Sequence, residues 1–274
     1  MSVQASPSSE ALARFRAEYG AHRAAEGRGA GGVAELLALP YLTTGPTSGQ
    51  WAVRARTFDA FVARVVQPLA REVGRALRVL DLGAGNGWLC YRMAGLGHDA
   101  TAVDVRDDAV DGLGAAAGYA SHLPRPLARL AASFDALPVR SGAYDLAVFN
   151  ASLHYALDLA AALGEAARAV RPGGRIAILD SPFYRRAEDG EAMVEEKRRT
   201  AEKRFGDRAG ALTALPFVEY LTRERLAAAS APLGLAWRRH RVRYPLRYEA
   251  RPLIAFLERR RTPSRFDLWE CTVP

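Results

Sequence analysis

Val79-Leu80-Asp81-Leu82-Gly83-Ala84-Gly85-Asn86-Gly87-Trp88 joins two kinds of pattern. Apolar residues surround an aspartate, glycines then alternate with other residues, and a helical stretch begins. Such a run reads as a strand turning sharply into a helix. Glycine has no Cβ, so the backbone there adopts dihedrals closed to other residues and a ligand can come close. The ligand then lies in the crevice beyond the carboxyl ends of the strands. Two cofactor classes use a turn of this kind. A dinucleotide site asks for G-x-G-x-x-G, its third glycine serving close packing. Here the spacing is G-x-G-x-G, and Trp88 stands at the dinucleotide position. Asp81 precedes the glycines, where a carboxylate repels a pyrophosphate and attracts an ammonium. The turn therefore favours a cationic ligand.

Around this turn, short apolar runs over 78–81, 100–104, 128–132, 144–149 and 175–180 alternate with helical stretches near 86–95, 107–119 and 158–170. Strands apolar throughout predict a parallel sheet covered on both faces. Pro172-Gly173-Gly174 reads as a turn into the fifth strand. Beyond Asp180, residues 183–209 are polar with helical tendency and form an insertion. A helix is expected over 222–231, strands over 235–244 and 266–273, and a helix over 252–261. Toward the N-terminus, 1–9 reads as a loose tail. Leu12, Phe15 and Tyr19 set a helix over 10–25. Residues 27–32 are a glycine break, 33–39 a short helix stopped by Pro40, and 51–73 a longer helix kinked or divided at Pro68.

The length of 274 residues suits one large domain with additions. With 49% hydrophobic and 25% charged residues, the composition excludes collagen-like, disulfide-rich and disordered classes. No apolar run approaches the roughly 20 residues of a spanning helix. The small, polar first ten residues show no secretory signal pattern. Cys90 and Cys271 have no metal-ligand spacing, and no metal is expected. A cytoplasmic location is the simplest expectation. The whole net charge of +8 falls within 238–265, where ten arginines face Glu249 and Glu258. Arginine outnumbers lysine 36 to 2 across an alanine- and glycine-rich chain, so arginine count says little about phosphate recognition.

Over about 77–181 the chain resembles class I S-adenosylmethionine-dependent methyltransferases, specifically the bacterial type 11-like small-molecule group. The resemblance rests on Asp81-Leu82-Gly83-Ala84-Gly85-Asn86-Gly87, Ala102-Val103-Asp104, Ser133-Phe134-Asp135-Ala136-Leu137-Pro138, Tyr144-Asp145-Leu146-Ala147-Val148-Phe149-Asn150 and Arg171-Pro172-Gly173-Gly174-Arg175, in that order. It implies an α/β, Rossmann-like, seven-stranded, mostly parallel sheet with helices on both faces. A helical N-terminal cap over 1–75 would precede the methyltransferase domain over 76–274, with an insertion at about 183–220. The resemblance further implies that Asp81, Gly83, Ala84, Gly85 and Asn86 wrap the methionine part of the cofactor. Asp104, followed by Val105, would take the ribose hydroxyls. Phe134, Asp135 and the N–H of Ala136 would take the adenine, with Asn150 at the end of the fourth strand. Capping of helices is the plainer role open to Asp81 and Asp104. Asp145 reads as structural.

Methyl transfer from a sulfonium needs an electron-rich acceptor held in line and a site that excludes water. Asn150-Ala151-Ser152-Leu153-His154-Tyr155 brings polar groups to the sheet's carboxyl edge. His154 is the candidate base, with Tyr155 beside it; shaping the pocket is the alternative for His154. Trp51 and Tyr184 are candidate substrate contacts. Asp180 suits a buried cap equally. One of Arg54 and Arg56 could pair with the methionine carboxylate. Met193, Val194, Arg198, Ala201 and Phe205 outline either a mobile lid or a packed helix over 188–205. The expected reaction is methyl transfer to a small-molecule acceptor, leaving S-adenosylhomocysteine. Two alternatives stand. An RNA or other nucleic-acid methyltransferase would use the basic 238–265 stretch, with Arg239, Arg241 and Arg243 on one strand face. A non-catalytic protein would bind the cofactor only. No membrane partner is expected, and oligomeric state is not legible.

Overall fold

The apolar runs pair into one seven-stranded sheet. Its strands are β1 (Arg78–Leu82), β2 (Asp99–Asp104), β3 (Ala128–Ala131), β4 (Tyr144–Asn150), β5 (Val170–Leu179), β6 (Arg238–His240) and β7 (Leu268–Thr272). The computed structural model describes residues 13–14, 17–21, 31–206 and 215–274. The expected tail, Leu12, Phe15, residues 27–30 of the glycine break and 207–209 at the insertion's end lie outside the described residues.

Strand order is β3-β2-β1-β4-β5-β7-β6. The first five strands run parallel, and β7 runs antiparallel to both β5 and β6. The chain leaves β1 toward β2 and β3, then crosses back to β4 on the other side of β1. That reversal opens a crevice at the carboxyl ends of β1 and β4. Successive side chains of a strand face opposite ways, so each central strand feeds two cores. Val79, Leu146 and Val148 join Phe58, Phe61, Val65, Trp88 and Met93 on one face. Leu80, Leu82, Ala147 and Phe149 join Leu163, Ala166 and Leu226 on the other.

Helices α1 (Gly32–Ala38), α2 (Ser48–Phe61) and α3 (Gln67–Val73) precede the sheet. Between α2 and α3 lies a π turn, Val62–Val66. Pro68 lacks the N–H that the carbonyl of Arg64 would otherwise accept, and the widened turn falls at that place. The helix still advances, because Phe61, Val65, Val66 and Leu69 are all buried. Phe58 and Trp51 meet Trp88 edge to face at 5.5 and 5.7 Å. Trp88 opens α4 (Trp88–Gly95). The N-terminal helices thus reach the sheet through the helix that follows the glycine turn.

Helix α5 (Leu159–Ala169) begins at Asp158, whose carboxylate accepts the N–H groups of Ala160 and Ala161 at 2.8 and 3.0 Å. Helices α6 (Ala187–Phe205), α7 (Arg223–Ser230) and α8 (Arg251–Leu257) follow β5, with a single turn, Leu246–Glu249, before α8.

Three expectations are corrected. The helix expected over 107–119 is a turn followed by a 3-10 stretch, Leu113–His122. Asp108 accepts the N–H groups of Val110, Asp111 and Gly112, competing with helix formation. The strand expected over 235–244 shrinks to β6, so Arg241 and Arg243 share no strand face with Arg239. Pro172-Gly173-Gly174 loops out inside β5, where pairing jumps from Tyr144↔Val170 to Leu146↔Arg175. There a Cβ on Gly174 would lie 2.7 Å from the Asp145 carbonyl oxygen, so glycine is required.

Candidate functional site

Gly83 leaves the tip of β1 at φ 76°, and a Cβ there would stand 2.3 Å from Cβ of Ser152. Both facts demand glycine. The close approach has a cause: Ser152 Oγ–H donates to the Leu82 carbonyl. The N–H groups of Gly83 and Ala84 donate to the Val103 carbonyl at 2.8 and 2.9 Å, tying the turn to β2. At the tip of β2, one oxygen of Asp104 accepts the Gly85 N–H and the other the Arg106 N–H, each at 2.8 Å. Burial raises its pKa, while those N–H groups and the Arg106 charge oppose the rise. Both oxygens keep a free lone pair. Asp104 is therefore a fixed acceptor facing the crevice.

The crevice is a cavity of about 430 Å³, within the range of roughly 300–1,000 Å³ for small-molecule sites. Gly83, Ala84, Gly85, Asn86, Asp104 and Val105 line its β1–β2 end. Phe134 and Asp135 line the wall beyond β3, and Asn150, His154 and Tyr155 the wall beyond β4. Phe134 also packs edge to face on Phe149 at 5.7 Å, so it serves core and cavity together. Trp51 and Arg54 reach the cavity from α2, whereas Arg56 is exposed elsewhere. The structure thus gathers residues from β1, β2, β4 and the N-terminal helix into one space.

Three expected residues do not line it. Asp81 is fully buried behind the turn, where Cys90 Sγ–H donates to Oδ2 at 3.7 Å and Oδ1 has no partner. Burial pushes its pKa up to about 8, with the nearby Asp104 charge adding to the rise, so it is mainly a neutral acid near pH 7. The Ala136 N–H, expected at the adenine, donates to the Ser133 carbonyl at 3.3 Å in a local turn. Tyr184, expected at the substrate, is buried against Tyr220, and Arg261 donates to its hydroxyl at 3.2 Å.

His154 lies in the cavity wall with Nδ1 unpartnered. Burial pushes its pKa down to about 3, and the charges of Lys197 and Arg54 lower it further. The imidazole is neutral at working pH and a weak proton acceptor, unlike the near-neutral base expected. The Tyr155 ring lies 4.3 Å from it, and the Tyr19 hydroxyl donates to the Tyr155 hydroxyl at 3.1 Å.

Sequence reasoning missed Tyr19, Arg106 and Phe266 as cavity residues, and left Asp180 open between the sheet's carboxyl edge and a buried cap. Arg106 carried a signal, an arginine two residues past the acidic tip of β2. It is 9% exposed, paired with Asp108 at 2.7 Å and Asp111 at 3.5 Å, and lies over the Tyr19 ring. Helix α6 contributes no residue to the cavity lining. Two ion pairs tie it to the rest of the chain, Lys197–Glu219 at 2.7 Å and Arg261–Glu196 at 2.8 Å; the Phe205 side chain lies outside the described residues.

Residues 80–178 match a family model described as a methyltransferase domain. A protein of Mycobacterium tuberculosis named an uncharacterized methyltransferase is 38% identical over 104 residues, covering 38% of this chain and 40% of that protein. A malonyl-[acyl-carrier protein] O-methyltransferase of Geobacter sulfurreducens is 33% identical over 135 residues, 45% of this chain and 48% of that protein. The chain thus spans less than half the length of these curated relatives. The crystal structure of Burkholderia thailandensis 1,6-didemethyltoxoflavin-N1-methyltransferase superposes with a TM-score of 0.55 at 16% identity, covering 100% of this chain and 94% of that one. That likeness is one of fold. Residues 80–178 thus resemble a methyltransferase domain, and the chain shares the fold of that solved methyltransferase.

Proposed function

We propose that the chain transfers a methyl group from S-adenosylmethionine to a small-molecule acceptor. The observation that carries this reading is Asp104, pinned by two backbone N–H groups where the glycine turn meets the cavity. In this reading Asp104 accepts the ribose hydroxyls. The backbone of Gly83, Ala84, Gly85 and Asn86 borders the amino-acid part, and Phe134 with Asp135 borders the adenine. When bound, the cofactor supplies a methyl already activated by a sulfonium, so the protein's work is positioning and exclusion of water. Trp51 and the Tyr19–Tyr155 pair screen the cavity from the N-terminal side. His154, neutral and with Nδ1 unpartnered, orients an acceptor by hydrogen bonding better than it removes a proton.

The nucleic-acid alternative loses support because much of its basic stretch is already paired. Arg265 meets Glu249 at 2.7 Å and Asp267 at 2.9 Å, Arg239 meets Asp267, and Arg261 meets Glu196. No helix among the described residues is long and apolar enough to cross a membrane. Calorimetric titration tests the proposal. S-adenosylhomocysteine is expected to bind with one-to-one stoichiometry and NADH to give no heat; the opposite pattern would overturn it.

A further inference from the structure

Asp180 follows directly from β5 and is 6% exposed. It lines the cavity, and neither carboxylate oxygen has a hydrogen bond of good geometry: the neighbouring Thr57 hydroxyl is engaged with the Val53 carbonyl and the Tyr244 hydroxyl. Its backbone sits at φ 50°, a region that non-glycine residues seldom occupy, although aspartate and asparagine tolerate it best. An unpaired buried acid on a strained backbone is an expensive arrangement, and such strain collects at functional sites.

Strand register fixes where this acid stands. Leu82 of β1 pairs with Phe149 of β4, and Asn150 of β4 pairs with Leu179 of β5. The tips therefore run Asp104, Gly83, Asn150, Asp180 across β2, β1, β4 and β5. Neighbouring strands are about 4.8 Å apart, so Asp180 lies roughly 14 Å across the sheet from Asp104. The ribose acceptor and this acid occupy opposite ends of one cavity. Around Asp180 the lining includes Trp51, Pro182 and Phe266, together with Arg54.

Among the lining residues, the fully covered side-chain atoms that lack a partner are acceptors. Asn150 Oδ1 and both Asp180 oxygens can accept hydrogen bonds, and the neutral His154 ring can offer a lone pair at Nδ1. A ligand that satisfies them brings N–H or O–H donors. A carboxylate or phosphate would bring acceptors only and leave them unpaired.

We infer that Asp180 receives the methyl acceptor, taking a hydrogen bond and then the proton from an N–H or O–H nucleophile on an aromatic or heteroaromatic body. This rests on the methyl-transfer reading of the cavity. Asp180 gains the proton as the acceptor's N–H or O–H bond breaks. The electron pair left on the acceptor forms the bond to the methyl carbon, and the pair of the broken carbon–sulfur bond stays on sulfur. Asp180 then releases the proton to water. Burial pushes its pKa up to about 6, with the Arg54 charge and the neighbouring Thr57 hydroxyl restraining the rise. Tyr244 and Tyr248 face it from the β6–β7 connection; burial raises their pKa values, and the Asp180 charge adds to the rise. A base in this range suits proton transfer near neutral pH.

The test compares wild type with Asp180→Asn and Asp180→Gly, both of which accept the same backbone. Hydroxyquinoline, aminoquinoline and quinoline carboxylate serve as probes, titrated by ligand-observed NMR with and without S-adenosylhomocysteine. Expected at pH 8 is roughly tenfold weaker binding of the hydroxyl and amino probes to both variants. The carboxylate probe should bind the variants at least as well as wild type, and cofactor-product affinity should stay within about twofold. Equal probe affinities across the three proteins, or a wild-type preference for the carboxylate, would overturn the inference. Failure of S-adenosylhomocysteine to bind wild type would sink the cofactor reading alone, because the probe titrations without it still decide the role of Asp180.

Discussion

Asp104 has two duties, and its removal exposes both. Its carboxylate fixes the N–H groups of Gly85 and Arg106 and offers its remaining lone pairs to a ligand. Asp104→Ala should weaken S-adenosylhomocysteine binding by ~1–3 kcal/mol in calorimetry. Unchanged affinity in a folded variant would remove the ribose role. Asp180 yields a prediction of the opposite sign for stability. Its native pKa of about 6 stands above the ordinary aspartate value of 3.8, so the native state binds the proton more tightly than the unfolded chain. Its contribution is complete below about pH 4 and is lost as pH rises through about 6. Arg54, Thr57, Tyr244 and Tyr248, which face it, do not titrate in that window. Asp180→Asn should therefore match wild type in relative stability near pH 4 and gain up to about 3 kcal/mol over it by pH 8 in urea unfolding. A pH-independent difference would show that the acid is solvated or paired in solution.

At the scale of elements, the junction beneath the sheet depends on Asp145. This fully buried carboxylate accepts from Arg75 just beyond α3 at 2.8 Å, from the Arg78 N–H of β1 at 2.8 Å and from Arg171 in the β5 bulge at 2.7 Å. Those partners hold its pKa well below the usual carboxylate range despite burial. The stabilisation is present above about pH 4 and fades as pH falls further. Because Arg75 and Arg171 remain partly exposed, Asp145→Ala should cost about 2–3 kcal/mol at pH 7 rather than the larger penalty of a wholly buried pair. Urea unfolding should show the difference shrinking toward pH 3; a constant difference would assign the loss to packing. The elements themselves were largely legible, because apolar strands and a glycine turn state their period and their dihedrals directly. The helix expected over 107–119 failed because Asp108 takes up the local N–H groups, a competition that apolar spacing does not register. In the candidate site, Asp104 and Phe134 could be named because the family resemblance marks the end of the second strand and the segment after the third. Tyr19 could not, since its hydroxyl partner Tyr155 is 136 residues away. Nor could the sequence tell that the neighbours of Asp180 leave it unpaired, while Arg261 draws Tyr184 into a packed corner.

Across the whole molecule, the distribution of charge distinguishes a small acceptor from a polyanion. The window 238–265 contains the entire net charge of +8, yet its boundary excludes the acids that answer it. Asp267 receives Arg239 and Arg265, and Glu270 lies 3.8 Å from Arg238 and 2.8 Å from His240. Glu196 of α6 receives Arg261. The short β6 also removes the row of arginines that an extended strand would present along a phosphate backbone. Short-range pairs of this kind cancel one another's field beyond about a Debye length, near 8 Å at physiological salt. A protein that neutralises six to ten phosphates loses about 10³–10⁵ in affinity between 50 and 200 mM salt. Here, fluorescence anisotropy with a labelled single-stranded RNA should give only weak binding, and the log–log salt slope should correspond to about one or two phosphates. Tight binding with a slope of six or more would mean that the arginines exchange their carboxylate partners for phosphates. The acceptor would then be sought among nucleic acids, while the assignment of Asp104 to the cofactor would stand or fall on its own titration.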